Sequence, residues 1–464
     1  MAPKFGTSGL RGLVVELTGA CVSDHVNAFA ASCELGETLW IGEDLRPSSS
    51  DIASMVETAA LAAGLNVVRT GPIPTPALAL SALKARAGAI MITGSHIPAD
   101  RNGLKFYTLA GEITKADEAR IAAALGQPTT AVRRGRRALA KEPGAAYVSR
   151  YVAAYAGALA GQRIGVYAHS SVGRDLLSEI LQGCGAQVLD LGRSDIFIPV
   201  DTEAVSAETR AALAGWAAEH RIDAIVSTDG DADRPLLTDQ AGRVVPGDVL
   251  GQITCAALGA ETVVTPISSN SAVTEKGFAR VIRTRIGSPY VIAGMEEAGG
   301  RVCGYEANGG FLLGFEAVGP SGTIAPLVTR DAVLPLLAVL AQAGPGGVSA
   351  LVEAEPARFT AADRLQELPE AAMRALVAEL ASSKAARADF LGQLGAVEAG
   401  CDLTDGVRMT TMDSRIFHVR PSGNAPELRL YVEADDRERL TDALAQGLAL
   451  LQRRLQRAAG KAHA

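Results

Sequence analysis

The chain has 464 residues, of which 48% are hydrophobic, 20% charged and 4% aromatic. Its 44 Lys and Arg against 51 Asp and Glu leave a net charge of -7, which disfavours a nucleic-acid-binding surface. At roughly 150 residues per domain the length suits three or four domains.

The first residues contain no apolar run of signal-peptide length. The longest uncharged stretch, Ala332 to Val352, is expected to be broken by Pro335 and by Gly344-Pro345-Gly346-Gly347, so it does not read as a membrane span. The six cysteines are scattered, with no C-x-x-C pair, and read as reduced thiols. The expectation is a cytoplasmic globular protein with no membrane and no nucleic-acid partner.

In chain order, Leu39 to Gly42 reads as a strand and Asp51 to Ala63 as an alanine-rich helix stopped at Gly64. Ala87 to Thr93 is an apolar run, followed by a polar loop and the alternating Leu104 to Tyr107. Thr114 to Leu125 reads as a helix with Thr114 and Asp117 as a capping box. The basic stretch Arg133 to Arg137 reads as a solvated linker. Helices are expected at Tyr147 to Leu159, Asp175 to Leu181 and Ser206 to Glu219, and strands at Ile164 to Tyr167, Gln187 to Leu191 and Ala224 to Ser227. A third cycle has strands at Val263-Val264, Val281-Ile282 and Val302 to Tyr305, with a helix near Ala293 to Ala298. Such alternation predicts α/β layers with mainly parallel sheets. The last part differs: a helix over Pro369 to Ser383, strands near Val407 to Thr411, Ile416 to Val419 and Leu428 to Val432, and a closing helix from Asp436 to Gln456 predict a smaller α+β unit. The boundaries read as 1–143, 144–245, 246–355 and 356–464.

Four loops could carry chemistry. Thr93 to Gly103 follows an apolar run and presents Ser95 at a strand end, where a hydroxyl can face a cleft; alone it equally fits a polar turn. Pro98 sits where a nucleophile-elbow helix should begin, which argues against hydrolase chemistry. Asp229, Asp231 and Asp233 alternate with the small residues Gly230 and Ala232 in the second loop. Three crowded carboxylates repel unless a cation joins them, and hard oxygens from one short loop suit Mg²⁺. In the third loop, Glu306 and Asn308 would lie on one side of an extended segment and could grip sugar hydroxyls, although a structural turn is the first reading of those residues alone. The fourth, Arg420 to Arg429, brackets Ser422, Gly423 and Asn424 with arginines and fits a phosphate cradle.

In this order and spacing the loops, with Phe5-Gly6-Thr7-Ser8-Gly9-Leu10-Arg11-Gly12, resemble the phosphohexomutase superfamily over the whole chain. The resemblance implies three related α/β domains plus a smaller C-terminal α+β domain around a central active-site cleft. It also implies that Ser95 carries the transferable phosphoryl group and joins Asp229, Asp231 and Asp233 as a metal ligand. Glu306 and Asn308 would recognise the sugar. Arg420, Ser422, Gly423, Asn424 and Arg429 would hold the non-reacting phosphate, and Arg11 and Lys105 would serve the reacting one. Five positions depart from the usual pattern: Asn308 stands for serine, Gly310 for a histidine that serves as a candidate acid/base, Asn424 for threonine, Ala425 for glutamate and Ala232 for glycine. Lys105 is then the first candidate for proton transfer and His96 the second.

The expected activity is interconversion of hexose 1- and 6-phosphates through phosphoserine, with Mg²⁺ and a catalytic hexose 1,6-bisphosphate. Mannose phosphate is the first choice of substrate, glucose phosphate the second and glucosamine phosphate the third. The alternatives are a Mg²⁺-dependent sugar phosphatase using Asp229 as nucleophile and a non-catalytic sugar-phosphate sensor. Nothing in the residues bears on oligomeric state.

Overall fold

The computed structural model describes residues 3–6, 8–127, 133–366, 368–422 and 427–461. Among them lie one sheet of eight strands, one of four, two of five and a two-stranded ribbon.

The first sheet is centred on Thr38–Glu43, which pairs in parallel with Gly88–Ile92 on one side and Asn66–Pro72 on the other. The second sets Gln187–Leu191, Arg163–Tyr167 and Ala224–Thr228 in parallel. In the third, Arg280–Thr284, Thr262–Pro266 and Val302–Tyr305 do the same.

A common device ends each of these parallel sets. A wholly buried strand leaves the sheet at its carboxyl end, makes a short loop, and returns as an antiparallel partner. Gly88–Ile92 returns as Arg101–Thr108, Ala224–Thr228 as Pro235–Leu237, and Val302–Tyr305 as Phe311–Leu313. Ser95, the three aspartates and Glu306 sit in these three returns. Ligands of open α/β sheets bind beyond the carboxyl ends of strands, and this chain repeats that placement in each α/β unit.

One continuous core runs through all three units, with Tyr107, Tyr151, Leu237, Phe311 and Leu337 among its buried members. The C-terminal sheet, wholly antiparallel in the order Phe359–Leu365, Leu428–Ala434, Ile416–Pro421, Val407–Thr411, Glu398–Asp402, has a separate core of Met373, Phe390, Phe417, Leu430 and Leu451. It meets the rest through polar contacts: Ser271 with Glu433, Asn270 Nδ2 to the Arg358 carbonyl (2.8 Å) and Ile286 N to Asp405 (3.0 Å).

Several expectations need correction. Pro335 does not break its helix: it lies in the first turn of Val333–Gln342, where a missing N–H costs little. The break falls after Gln342, and the next helix, Gly347–Glu353, is bent by 94°. No single helix among the described residues is long and apolar enough to cross a membrane. Arg101–Thr108 does not alternate; Asn102 through Tyr107 are all buried, because both faces of the strand are covered. The basic stretch is not only a linker, since Arg137–Leu139 adds an edge strand to Asn66–Pro72 and Arg137 pairs with Glu57 at 2.8 Å. The helix expected over Tyr147 to Leu159 runs Glu142–Tyr155, entered through Pro143.

Candidate active site

Ser95 is 2% exposed and adopts φ +53°, a left-handed conformation that disfavours a side chain. Its N–H donates to Thr93 Oγ1 (2.7 Å), and its hydroxyl donates to Asp229 Oδ2. The serine of one unit thus meets the acidic loop of the next.

Asp229, Asp231 and Asp233 are fully buried, with one oxygen of each within 4.8 Å of the others. Burial, then repulsion from Asp231 and Asp233, pushes the Asp229 carboxyl up to about 8. Burial also opposes ionisation of Asp231, but the Lys105 ammonium outweighs it and holds that carboxyl well below the usual range. Lys105 Nζ donates to Asp231 (2.5 Å) and to Asp233, and Thr75 donates to Asp231. Asp231 Oδ1 and Asp233 Oδ1 are buried without a hydrogen-bond partner. Two orphaned anionic oxygens beside a third carboxylate make a set of hard donors that could bind a divalent metal ion. Ala232 holds φ +58°, so its replacement of glycine requires a strained backbone in the middle of the ligand loop.

Arg11 reaches the carbonyl of Thr93 from the opposite side. Burial is the main cause lowering its pKa to about 10, and it remains a cation. His96 Nδ1 lies 3.4 Å from Ser95 Oγ and accepts from Arg234 at 2.9 Å. Burial and Arg234 drive the imidazole down to about 3, so His96 is neutral at physiological pH and does not titrate near 7 as its type suggests.

Glu306 and Asn308 are not on an extended segment. The stretch Glu306 to Gly310 is a tight turn, closed by Gly309 N to Glu306 O (2.9 Å) and Glu306 N to Gly310 O (3.1 Å). Asn308 Oδ1 accepts from Gly310 N (3.0 Å), and Thr202 holds the Asn308 carbonyl at 2.8 Å. Glu306 is gripped by Arg330, a residue the sequence did not single out. The buried Arg330 guanidinium contacts Glu306 (3.2 Å), Asp233 (2.9 Å) and Ser8 (3.3 Å), joining the Glu306 turn, the acidic loop and the amino-terminal loop. Its stem packs on Gly310, where a Cβ would come 2.8 Å from Arg330 Cδ. Bare Gly310 was the only sign of it in the sequence. Arg234 was also missed, although it adjoins the aspartates; its Nε lies 3.8 Å from Asp233 and 3.9 Å from Asp229.

In the C-terminal sheet, Arg420 and Arg429 are direct cross-strand partners. Like charges so placed repel. Asp405 relieves Arg420 at 3.3 Å and Glu427 relieves Arg429 at 3.4 Å, while Ser422 N bonds the Glu427 carbonyl at 2.8 Å. Gly423 and Asn424 lie outside the described residues. Each arginine keeps further N–H donors beyond its one carboxylate partner, and these could hydrogen-bond an anion.

Comparison with known proteins agrees with this geometry. Family models described as phosphoglucomutase/phosphomannomutase match here as alpha/beta/alpha domain I over residues 2–131, alpha/beta/alpha domain III over 247–359 and C-terminal domain over 364–449. A phosphomannomutase of Sinorhizobium fredii is 47% identical, the alignment covering 97% of this chain and 99% of that protein. One from Salmonella muenchen is 40% identical over 98% and 97%. A solved phosphoglucomutase/phosphomannomutase family protein of Burkholderia thailandensis superposes with a TM-score of 0.76 at 20% identity, covering 97% of each chain. Three domain models matched in chain order, with a relative 47% identical over nearly its full length, make this chain a member of the phosphoglucomutase/phosphomannomutase family, an enzyme of the phosphohexomutase superfamily.

Proposed function

We propose that the enzyme interconverts mannose 1-phosphate and mannose 6-phosphate through phosphorylated Ser95 and a bound mannose 1,6-bisphosphate. The observation that carries this reading is the Ser95 hydroxyl, buried and hydrogen-bonded to Asp229 within the acidic triplet. Mannose is preferred over glucose and glucosamine because two relatives 47% and 40% identical over nearly their full length are phosphomannomutases. The four units are read with boundaries near residues 143, 245 and 355, which fall between the sheets.

Transfer is balanced as an exchange of esters. The bond from Ser95 Oγ to phosphorus breaks, a bond from the sugar oxygen to phosphorus forms, and the sugar hydroxyl's proton ends on Ser95 Oγ. Lys105 is the first candidate to carry that proton, since it reaches both Asp231 and Asp233 beside the serine. Mg²⁺ held by Asp229, Asp231, Asp233 and the Ser95 phosphate would supply charge neutralisation. Arg11 and Arg234 offset the remaining charge of the reacting phosphate. Glu306 accepts from sugar hydroxyls while Arg330 fixes its carboxylate; Asn308, whose Oδ1 accepts from Gly310 N and whose carbonyl accepts from Thr202, would meet the sugar beside it through its amide N–H groups. Arg420, Ser422, Gly423, Asn424 and Arg429 hold the resting phosphate. Bound bisphosphate reorients and Ser95 recovers the other phosphoryl group.

The phosphatase alternative, with Asp229 as nucleophile, is disfavoured because one Asp229 oxygen already accepts from the Ser95 hydroxyl, and that alternative leaves Ser95 and the arginine pair without work. Turnover of mannose, glucose and glucosamine 1-phosphates should be compared with Mg²⁺ and a trace of hexose 1,6-bisphosphate. The expected result is fastest turnover of the mannose ester, dependence on the bisphosphate, and little free phosphate. Stoichiometric phosphate release would overturn the mutase reading; faster glucose turnover would overturn the sugar assignment alone.

A further inference from the structure

Ser95 needs its backbone held against its own preference, and the holding group is outside the set discussed so far. Arg46, 3% exposed, lies just beyond the strand Thr38–Glu43. Its Nη1 donates to the carbonyls of Pro98 (2.7 Å) and Arg101 (3.0 Å), and its Nη2 to those of Ser95 (2.8 Å) and Ile97 (2.6 Å). One guanidinium therefore gathers four carbonyls of the Ser95 loop. Asp44 completes the grip: its carboxylate lies 3.3 Å from Arg46 Nε and accepts from Thr93 Oγ1 at 2.7 Å, and that same Thr93 oxygen receives the Ser95 N–H. The amide of Ser95 is thus tied on one side through Thr93 and its carbonyl on the other through Arg46.

The surroundings are cut to fit this cation. Gly94 must lack a side chain, since a Cβ there would lie 2.4 Å from Arg46 Cζ. The Phe197 ring, from the neighbouring α/β unit, covers the guanidinium with its centroid 4.2 Å from Cζ. Gly230 of the acidic loop is equally constrained, because its Cβ would lie 2.8 Å from the Ser95 carbonyl oxygen that Arg46 holds.

We infer that Arg46 is a positioning residue for phosphoryl transfer: its fork of donors fixes the left-handed Ser95 peptide so that the hydroxyl points at the acidic triplet. This rests on the reading of Ser95 as the phosphoryl carrier. Lysine cannot replace it, because three donors on one nitrogen do not span four carbonyls in a plane. A loop released from this clamp presents the oxygen in many directions, and a misplacement of about 1 Å is enough to slow transfer about 100-fold.

The test compares the full-length parent with Arg46→Lys and Gly94→Ala, the second displacing the guanidinium without altering it. Two rates are read: steady-state turnover of mannose 1-phosphate, and single-turnover loading of Ser95 from glucose 1,6-bisphosphate, followed by intact-protein mass. In loading, a sugar O–P bond breaks, the Ser95 Oγ–P bond forms and the serine proton passes to the sugar oxygen. Both variants should lose roughly 100-fold in kcat and in loading rate, with KM within about twofold of the parent. Arg69→Met is the control: it severs partly buried pairs to Glu43 (2.6 Å) of the neighbouring strand and to Glu57 (3.0 Å) of the helix Ser49–Ala62, and should lower the melting temperature while leaving kcat unchanged. Variants that melt early but load and turn over like the parent would overturn the inference. A parent that takes no phosphate on Ser95 would overturn the carrier reading itself, and the clamp's role with it. Should Arg46→Lys fail to fold, Gly94→Ala decides alone.

Discussion

On the proposed mechanism the site has a reacting end and a resting end, and the two are built on opposite plans. At the reacting end, Ser95, Lys105 and the three aspartates are each at most 2% exposed, and they come from α/β units that share one hydrophobic core. At the resting end, the side chains of Arg420 and Arg429 are 14% and 34% exposed, on a unit with a core of its own joined by polar contacts. Bond making needs charges fixed before the substrate arrives, and a shared core supplies that rigidity. Capture and release of a phosphate that must be accepted in two orientations favours a grip that can shift as a body.

Substitutions at each end should separate these plans. Lys105→Met removes the cation that bridges Asp231 and Asp233; kcat should fall by about 10² to 10⁴ with circular dichroism unchanged, and turnover at the parental rate would refute its role in proton transfer. Acidity should act at the same end. Metal binding requires ionised Asp229, whose carboxyl is pushed up from 3.8 to about 8, so affinity for Mg²⁺ should weaken by up to about tenfold per pH unit below that value, with proton release in calorimetry. Without metal the sign is reversed for stability: a raised carboxyl favours the fold below pH 3.8, and that contribution is lost as pH rises through about 8. A metal affinity flat from pH 6 to 9 would show that the triplet is ionised without the ion. The smallest effect belongs to the resting end. Arg429→Gln should raise KM for mannose 1-phosphate about tenfold with kcat within about threefold, since it weakens a bond made equally in ground and transition states. A kcat loss as large as that of Lys105→Met would erase the distinction between the ends.

The sequence exposed what is contiguous. Ser95 and the aspartates announce themselves because strand, loop and functional group are written within a dozen residues. Arg46 and Arg330 act across long stretches of chain, and nothing local to them differs from a surface arginine; only burial reveals their work. Lys105 was reached through resemblance, since one lysine in an apolar strand carries no chemistry by itself. The strand Phe359–Leu365 was missed because its faces are only partly covered and show no alternation, whereas Val407–Thr411 alternates cleanly and was read at its true bounds. The Glu306 turn was the first reading of its residues and the structure bears it out, but two glycines in sequence do not say which of them takes a positive φ; here it is Gly309.

The contact between Gly310 and Arg330 has an evolutionary consequence. Any side chain at 310 would drive into the arginine stem, with Cβ only 2.8 Å from Cδ. Yet removing Arg330 would take from buried Glu306 the guanidinium that contacts it, while Asp233 would keep Lys105. A side chain at 310 therefore calls for a compensating change at 330, so the two positions are expected to change together and their substitutions to be non-additive.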